Sequence, residues 1–150
     1  MIGMLGHCTE AEDIGQETFI RFYKSLNKFR GESSISTYLT RIAINLSLNE
    51  IKRRQRRRKY FSNTSEDGMD NIPENTTSKN KNETQEIVNL AIQKLEPKFR
   101  SVLVLRLILG YTTQETAKIM KLPVGTILSR LTRAQMKLKD ILIPLYEGLK

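Results

Sequence analysis

Apolar residues recur at helical spacing along most of this chain. From Ala11 to Leu26, Ile14, Thr18, Phe19, Phe22 and Leu26 form one apolar stripe, and Ile35, Leu39, Ile42, Ala43 and Leu46 mark a long helix reaching about Arg58. Between them, Phe29-Arg30-Gly31-Glu32-Ser33-Ser34 has the chemistry of a turn. Further on, Glu86 to Leu95 presents Val88, Ala91, Ile92 and Leu95 on one side. Pro97 then restarts the chain into a helix from Lys98 to Leu109, whose Val102, Leu103, Leu105, Leu107, Ile108 and Leu109 are assigned to core, with Gly110 as its stop.

The pattern then tightens into a helix-turn-helix. Thr112-Thr113-Gln114-Glu115 reads as a capping box, in which a hydroxyl and a carboxylate three residues on satisfy the free amides of a helix start. Ala117, Ile119, Met120 and Leu122 supply the apolar side of that short helix. Pro123 interrupts it, and a second helix runs from Val124 to about Leu142. Val124, Ile127, Leu128, Leu131, Ala134 and Leu138 are expected to be buried, while Thr126, Ser129, Arg130, Arg133 and Lys137 share the opposite side. Hydroxyl and guanidinium groups on one exposed stripe suit the DNA major groove, where Arg pairs bidentately with guanine. The competing reading is an ordinary solvated helix face.

The expected fold is therefore all-α, with two small helical modules joined by a flexible linker, the C-terminal module being the helix-turn-helix. Charge sharpens this division. The 150 residues carry a formal net charge of +9, which favours a polyanionic partner. Residues 1–59 hold twelve Lys or Arg against six Asp or Glu, residues 60–85 two against five, and residues 86–150 eleven against five. Two basic modules thus flank an acidic connector, 60–85, rich in Asn, Ser and Thr and too poor in apolar groups to offset its ordering entropy. No stretch is long and apolar enough to span a membrane, no signal peptide is evident, and a cytoplasmic location is expected.

Candidate chemistry lies on three surfaces. In the first helix, Glu12, Asp13, Gln16 and Glu17 crowd the exposed part of the first two turns, where acid favours the helix dipole; that explanation accounts for Glu12 and Asp13 better than for Glu17. The second helix ends in a basic run, seven of eight residues from Lys52 to Lys59, suited to phosphate or to a solvated tail. Tyr38, Asn45 and Asn49 lie on or beside one flank of the same helix and offer stacking and amide groups to unpaired bases. His7 and Cys8 are the only histidine and cysteine, so a tetrahedral His/Cys metal site within one chain is excluded, as is an internal disulfide. A Gly-rich phosphate loop is also missing. Neither a catalytic residue, a metal nor a cofactor is expected.

Taken in order, these strings resemble the extracytoplasmic-function (ECF) sigma factors of bacterial RNA polymerase. Glu10 to Phe19 looks like the family's polymerase-binding helix. Phe29 to Ser34, followed by Thr37-Tyr38-Leu39 and Arg41-Ile42-Ala43-Ile44-Asn45, looks like its element for opening and reading the downstream promoter box. Leu95 to Arg100, Val102 to Arg106 and Pro123 to Ala134 look like its upstream-box reader. The resemblance implies a non-enzymatic specificity subunit that binds core RNA polymerase, through the β′ clamp helices and the β subunit, and promoter DNA. Asp13, Gln16 and Glu17 would grip the clamp helices. Phe29, Arg30, Gly31, Glu32, Ser33 and Ser34 would capture a flipped base of the minus-ten element, with Tyr38, Asn45, Lys52 and Arg53 holding the melted strands. Thr126, Ser129, Arg130, Arg133 and Lys137 would read the minus-thirty-five element. An anti-sigma protein, in this family often membrane-anchored, is the implied regulator.

The chain also departs from the family pattern. Tyr38 stands where Trp is frequent, Ile35 where Phe is, and Gly15 where a branched apolar residue is usual. Gly15 is expected to cost about 1 kcal/mol and to leave a gap on the apolar face. The helix preceding the acidic one is mostly absent, so part of the first module's apolar surface is expected to stay wet, the short N-terminus reflecting truncation or a mis-assigned start. A free-standing helix-turn-helix regulator is the alternative function, and a nuclease or recombinase a weaker third.

Overall fold

A computed structural model of the chain describes residues 2–62 and 83–147, and every ordered element in them is helical. The first module comprises α1 (Ile2–Leu5), α2 (Thr9–Ser25), a short 3-10 turn (Leu26–Lys28) and α3 (Ile35–Ser62). The second comprises α4 (Glu83–Lys94), α5 (Pro97–Leu103), a wider π-type segment (Val104–Ile108), α6 (Thr113–Met120) and α7 (Val124–Glu147). Helix α2 packs along α3, while α5 and α4 pack on α7 and α6 crosses its start.

Local rules account for the ends of these helices. Ser34 Oγ accepts from the Thr37 amide at 3.1 Å and starts α3. Thr112 and Glu115 form the reciprocal capping box at α6: the Glu115 amide donates to Thr112 Oγ1 at 3.2 Å, and the Thr112 amide donates to Glu115 Oε2 at 2.8 Å. Gly110, at φ +73°, stops the preceding segment in the left-handed region. The turn between α6 and α7 is made by Lys121, whose φ of 54° is the only positive value outside glycine among the described residues. Pro123 follows and begins the next helix.

Several expectations are corrected. The connector expected at 60–85 is shorter at both ends: 60–62 continue α3 and 83–85 belong to α4, because composition alone does not end a helix. The rest of that connector lies outside the described residues. Helix α7 runs past Leu142 and through Pro144, which forgoes one backbone hydrogen bond near the helix end. Leu107, Ile108 and Leu109 are half exposed rather than core: the Leu109 amide reaches back five residues to the Val104 carbonyl at 2.9 Å, and this wider turn rotates the apolar run outward. Val124 and Leu128 are also exposed, since Ile127, Leu131 and Ala134 already fill the side of α7 that the eight-residue α6 and the α5 helix cover. On α2, Thr18 takes the inward position, its hydroxyl donating to the Ile14 carbonyl at 2.7 Å, and Phe19 and Leu26 face out. Ile35 is likewise exposed.

The first module's apolar side is covered only in part, since Phe19, Leu26 and Ile35 stay exposed while its inner residues are buried. Met4, Leu5, Ala11, Ile14, Ile44 and Ile51 form one continuous core with Ile92, Leu95, Phe99, Leu103, Val104, Leu105, Ile119 and Ala134 of the second module. Helix α1 lies between them, with Met4 at 1% exposure. Gly15 leaves no gap: a Cβ built there meets nothing within 4 Å, so the residue faces outward and carries only its conformational cost.

Candidate nucleic-acid and polymerase interfaces

The first surface is the outer side of α2. Asp13 and Gln16 are exposed, and Glu17 is half-buried in an ion pair with Arg21 at 2.6 Å. Phe19, Ile20 and Tyr23 stand beside them and remain largely exposed, Tyr23 at 76%. Acid and apolar groups therefore share one outward face. Such a face suits a protein partner, since an aromatic left in water is stabilised only when something covers it.

The second surface follows the loop into α3. Phe29 and Tyr38 pack edge to face at 5.3 Å, and both meet Phe22, at 6.4 Å and 6.0 Å. This cluster anchors the loop and leaves Arg30, Gly31 and Glu32 at its exposed tip, with Gly31 at φ +70°. Ser33 is half-buried. The Ser34 hydroxyl is committed to the start of α3 and to Thr37 Oγ1 at 2.9 Å. Farther along α3, Asn45, Asn49, Lys52 and Arg56 are exposed and recur every three or four residues, so they share one side of the helix.

The basic run divides by what each guanidinium touches. Arg53 pairs with Glu50 at 2.8 Å. Arg54 reaches Glu10 at 3.3 Å, Glu50 at 3.5 Å and Cys8 Sγ at 3.1 Å, tying α3 to the start of α2. The Glu10 carboxyl is held below its ordinary value by a backbone amide and by the Arg54 charge. Lys52, Arg56, Arg57, Arg58 and Lys59 make no ion pair among the described residues and are exposed, the arrangement expected of a phosphate-binding arm.

The third surface is on α7. Thr126, Ser129, Arg130 and Arg133 form one outward stripe, with Ser129 and Arg133 exposed and Thr126 and Arg130 half-exposed. The Ser129 hydroxyl donates to the Thr126 carbonyl at 3.0 Å, while neither arginine makes an ion pair among the described residues. Lys137 continues the line but differs. Its ammonium contacts Glu96 Oε1 at 2.7 Å and lies 5.1 Å from the Phe99 ring centroid, bracing α7 against the start of α5. Lys137 and Lys98 hold the Glu96 carboxyl below its ordinary value.

Sequence reasoning missed the groups that join the modules. Arg100 is buried; its Nη1 donates to the Met4 carbonyl at 2.7 Å and to Gln93 Oε1 at 3.1 Å, and its Nη2 to the Leu95 carbonyl at 2.9 Å and to the Gln93 carbonyl. Burial, with a smaller effect of Arg54, lowers its pKa to about 10. Tyr111 donates to or accepts from Ser36 and Thr40, at 3.1 Å and 2.7 Å, and Arg41 donates to the Lys118 carbonyl at 3.0 Å. A lone Arg within the apolar run Phe99 to Leu105 was the available signal.

With these surfaces placed, comparison with known proteins is decisive. Residues 2–57 match sigma-70 region 2 and residues 85–138 match sigma-70 region 4. The chain is 35% identical over 144 residues to the RNA polymerase sigma-H factor of Pseudomonas aeruginosa, covering 91% of this chain and 75% of that protein. It is 32% identical over 148 residues to the ECF RNA polymerase sigma factor SigW of Bacillus subtilis, covering 91% and 77%. In fold it resembles the sigma factor RpoE of Bartonella quintana, solved in complex with the anti-sigma factor NepR, with TM-score 0.71 and 22% identity over 94% of this chain and 86% of that one. The chain belongs to the ECF sigma factors of bacterial RNA polymerase. It directs core polymerase to promoters and initiates transcription, a function that the free-standing regulator reading does not accommodate because residues 2–57 are themselves a sigma region. No helix among the described residues is long and apolar enough to cross a membrane.

Proposed function

We propose that this sigma factor works in the cytoplasm without a catalytic centre of its own, and divides recognition between three surfaces. Asp13, Gln16 and Glu17, with the adjoining face of α2, bind the β′ clamp helices. The tip Arg30-Gly31-Glu32, with the flank of Tyr38 and Asn45, takes the unpaired minus-ten strand, and Lys52 with its basic neighbours holds phosphates. Thr126, Ser129, Arg130 and Arg133 read the minus-thirty-five box in the major groove. An anti-sigma protein is the proposed regulator, supported by the anti-sigma factor NepR bound to the structural neighbour RpoE.

One observation carries this division: among the described residues Arg130 and Arg133 make no ion pair, while Arg53, Arg54 and Lys137 are engaged within the protein. Uncommitted guanidinium groups on an outward helical stripe are available to base edges; engaged ones serve the fold. The test compares gel shifts of matched and scrambled promoter fragments, with and without core polymerase. Specific binding is expected only with polymerase, because each module alone is below the usual area of a specific DNA complex. Tight specific binding by the free protein would contradict the division of labour.

A further inference from the structure

The outward row of α7 does not end at Arg133. Thr126, Arg130, Arg133 and Lys137 follow one another at helical intervals, so all four lie along one side of the helix. From Thr126 to Arg133 the row runs about 10 Å, close to the roughly 12 Å width of a major groove. Lys137 stands about 6 Å farther along, where a helix leaving the groove passes the phosphates of its rim. A lysine free to turn there would hold a phosphate whatever the base sequence. This one is occupied. Its ammonium lies 2.7 Å from Glu96 Oε1, while Glu96 Oε2 holds the Lys98 ammonium at 2.9 Å. Both ammonium groups also lie against the buried Phe99 ring, Lys98 at 4.9 Å and Lys137 at 5.1 Å from its centroid. The ring keeps two cations side by side at the surface, and the carboxylate takes both.

We propose that Glu96 is a built-in competitor of DNA phosphate: it occupies Lys137 and Lys98 at the rim of the minus-thirty-five reader and so withholds a sequence-independent grip, leaving the choice of upstream box to Arg130 and Arg133. The proposal rests on the reading of α7 as the reader of that box. Phosphate contacts raise affinity for every sequence alike and carry no base information. In a chain of net charge +9, each contact withheld lowers binding to the many non-promoter sites that compete for the same protein.

The chemistry of the cluster fits this role. Two lysines and one glutamate leave a single net positive charge where two would face the DNA. Hydrogen bonds from both ammonium groups hold the carboxyl below its ordinary value, so it stays ionised at neutral pH. An exposed ion pair also holds loosely, so a phosphate competes with Glu96 and the grip is tempered rather than abolished. A purely mechanical role, bracing α7 against the start of α5, predicts the opposite sign. Loosening that brace would make α7 read its box less well, whereas removing a competitor makes the protein hold DNA more tightly.

The test is binding of the holoenzyme to promoter fragments with matched or scrambled upstream boxes, between about 50 and 200 mM salt, for wild type and Glu96→Gln. Glu96→Gln is expected to bind both fragments more tightly, with a logarithmic salt slope steeper by about one to two, at about 0.9 per added phosphate contact. The gain is therefore about threefold or more larger at the low end of that range than at the high end. At a concentration that already fills the matched fragment, occupancy of the scrambled one rises. Two double variants restore the wild-type net charge and locate the gain. Glu96→Gln with Lys137→Gln loses most of it, while Glu96→Gln with Lys139→Gln, whose lysine lies across the helix, keeps it. Circular dichroism and melting verify that all the variants fold alike. Unchanged or weaker binding by Glu96→Gln overturns the proposal, as does a gain that survives undiminished in the Lys137 double variant or vanishes equally in both. A wild-type holoenzyme that binds matched and scrambled fragments equally overturns the upstream-box reading itself, and the proposal with it.

Discussion

The two modules solve the same problem, burying helices against one another, in different ways. The second contains a cluster of its own, Val102, Ala117 and Ile127, with Val102 and Ile127 at 0% exposure and no contribution from the first module. The first has none: its buried apolar residues, apart from Ala43, belong to the cluster that the second module completes. A DNA reader that holds itself together keeps its recognition stripe in register whether or not it is docked. The first module instead depends on what covers its inner side, the second module.

Core truncations should separate the two modules most strongly. Ile127→Ala is expected to cost about 2–5 kcal/mol and to unfold the second module, removing upstream-box recognition and exposing the first module's inner side with it. Met4→Ala, although equally buried, should loosen mainly the joint. Hydrogen exchange resolves the difference, since amides around Val102 should keep their protection in Met4→Ala and lose it in Ile127→Ala. Equal loss in both would mean that the second module does not stand alone.

The next effects lie on the readers. Arg130→Ala or Arg133→Ala should cost about 1–3 kcal/mol on a matched upstream box and little on a scrambled one. Neutralising Lys52, Arg56, Arg57, Arg58 and Lys59 should weaken holoenzyme binding across sequences and flatten its salt dependence. On α2, Asp13→Ala, Gln16→Ala and Glu17→Ala together should reduce capture of core polymerase while thermal stability stays near wild type. Undiminished capture would leave only the helix dipole as a role for these acids.

How much of this was visible in the sequence depends on whether neighbouring residues or distant ones decide the structure. The capping box at Thr112, the stop at Gly110 and the outward stripe of Thr126 to Arg133 are fixed within a few residues, and the pattern displayed them. Leu128 and Phe19 were misread because their burial depends on how much of a helix its neighbours cover, which spacing does not encode. Leu107 to Leu109 were misread because one wider turn rotates everything after it. The joint was invisible for a related reason: Tyr111 and Ser36 are 75 positions apart, and no local rule pairs them.

Smaller effects sharpen the same contrast. Gly15→Ala in α2 and Lys121→Gly at the α6–α7 turn should each stabilise by about 0.5–1 kcal/mol, one by restricting the unfolded chain and the other by relieving a left-handed φ of 54°. The faintest effect is acid sensitivity. Glu10, Glu96 and Glu115 all have carboxyls held below the ordinary 4.5, so their contribution is complete above that value and fades as pH falls through the lowered ones. Melting temperature should be flat above pH 4.5 and decline below it, with the Glu10→Gln variant losing part of that decline.

The central claim, promoter choice by two separable surfaces on a polymerase-dependent subunit, is tested most directly by run-off transcription with purified core polymerase. Templates would pair matched or scrambled upstream boxes with matched or scrambled downstream boxes, for wild type and Arg130→Ala. Wild type is expected to need both boxes, and Arg130→Ala to lose its preference for the upstream box while keeping that for the downstream one. Transcription by wild type that ignores the upstream sequence, or an Arg130→Ala protein with unaltered preference, would contradict the account.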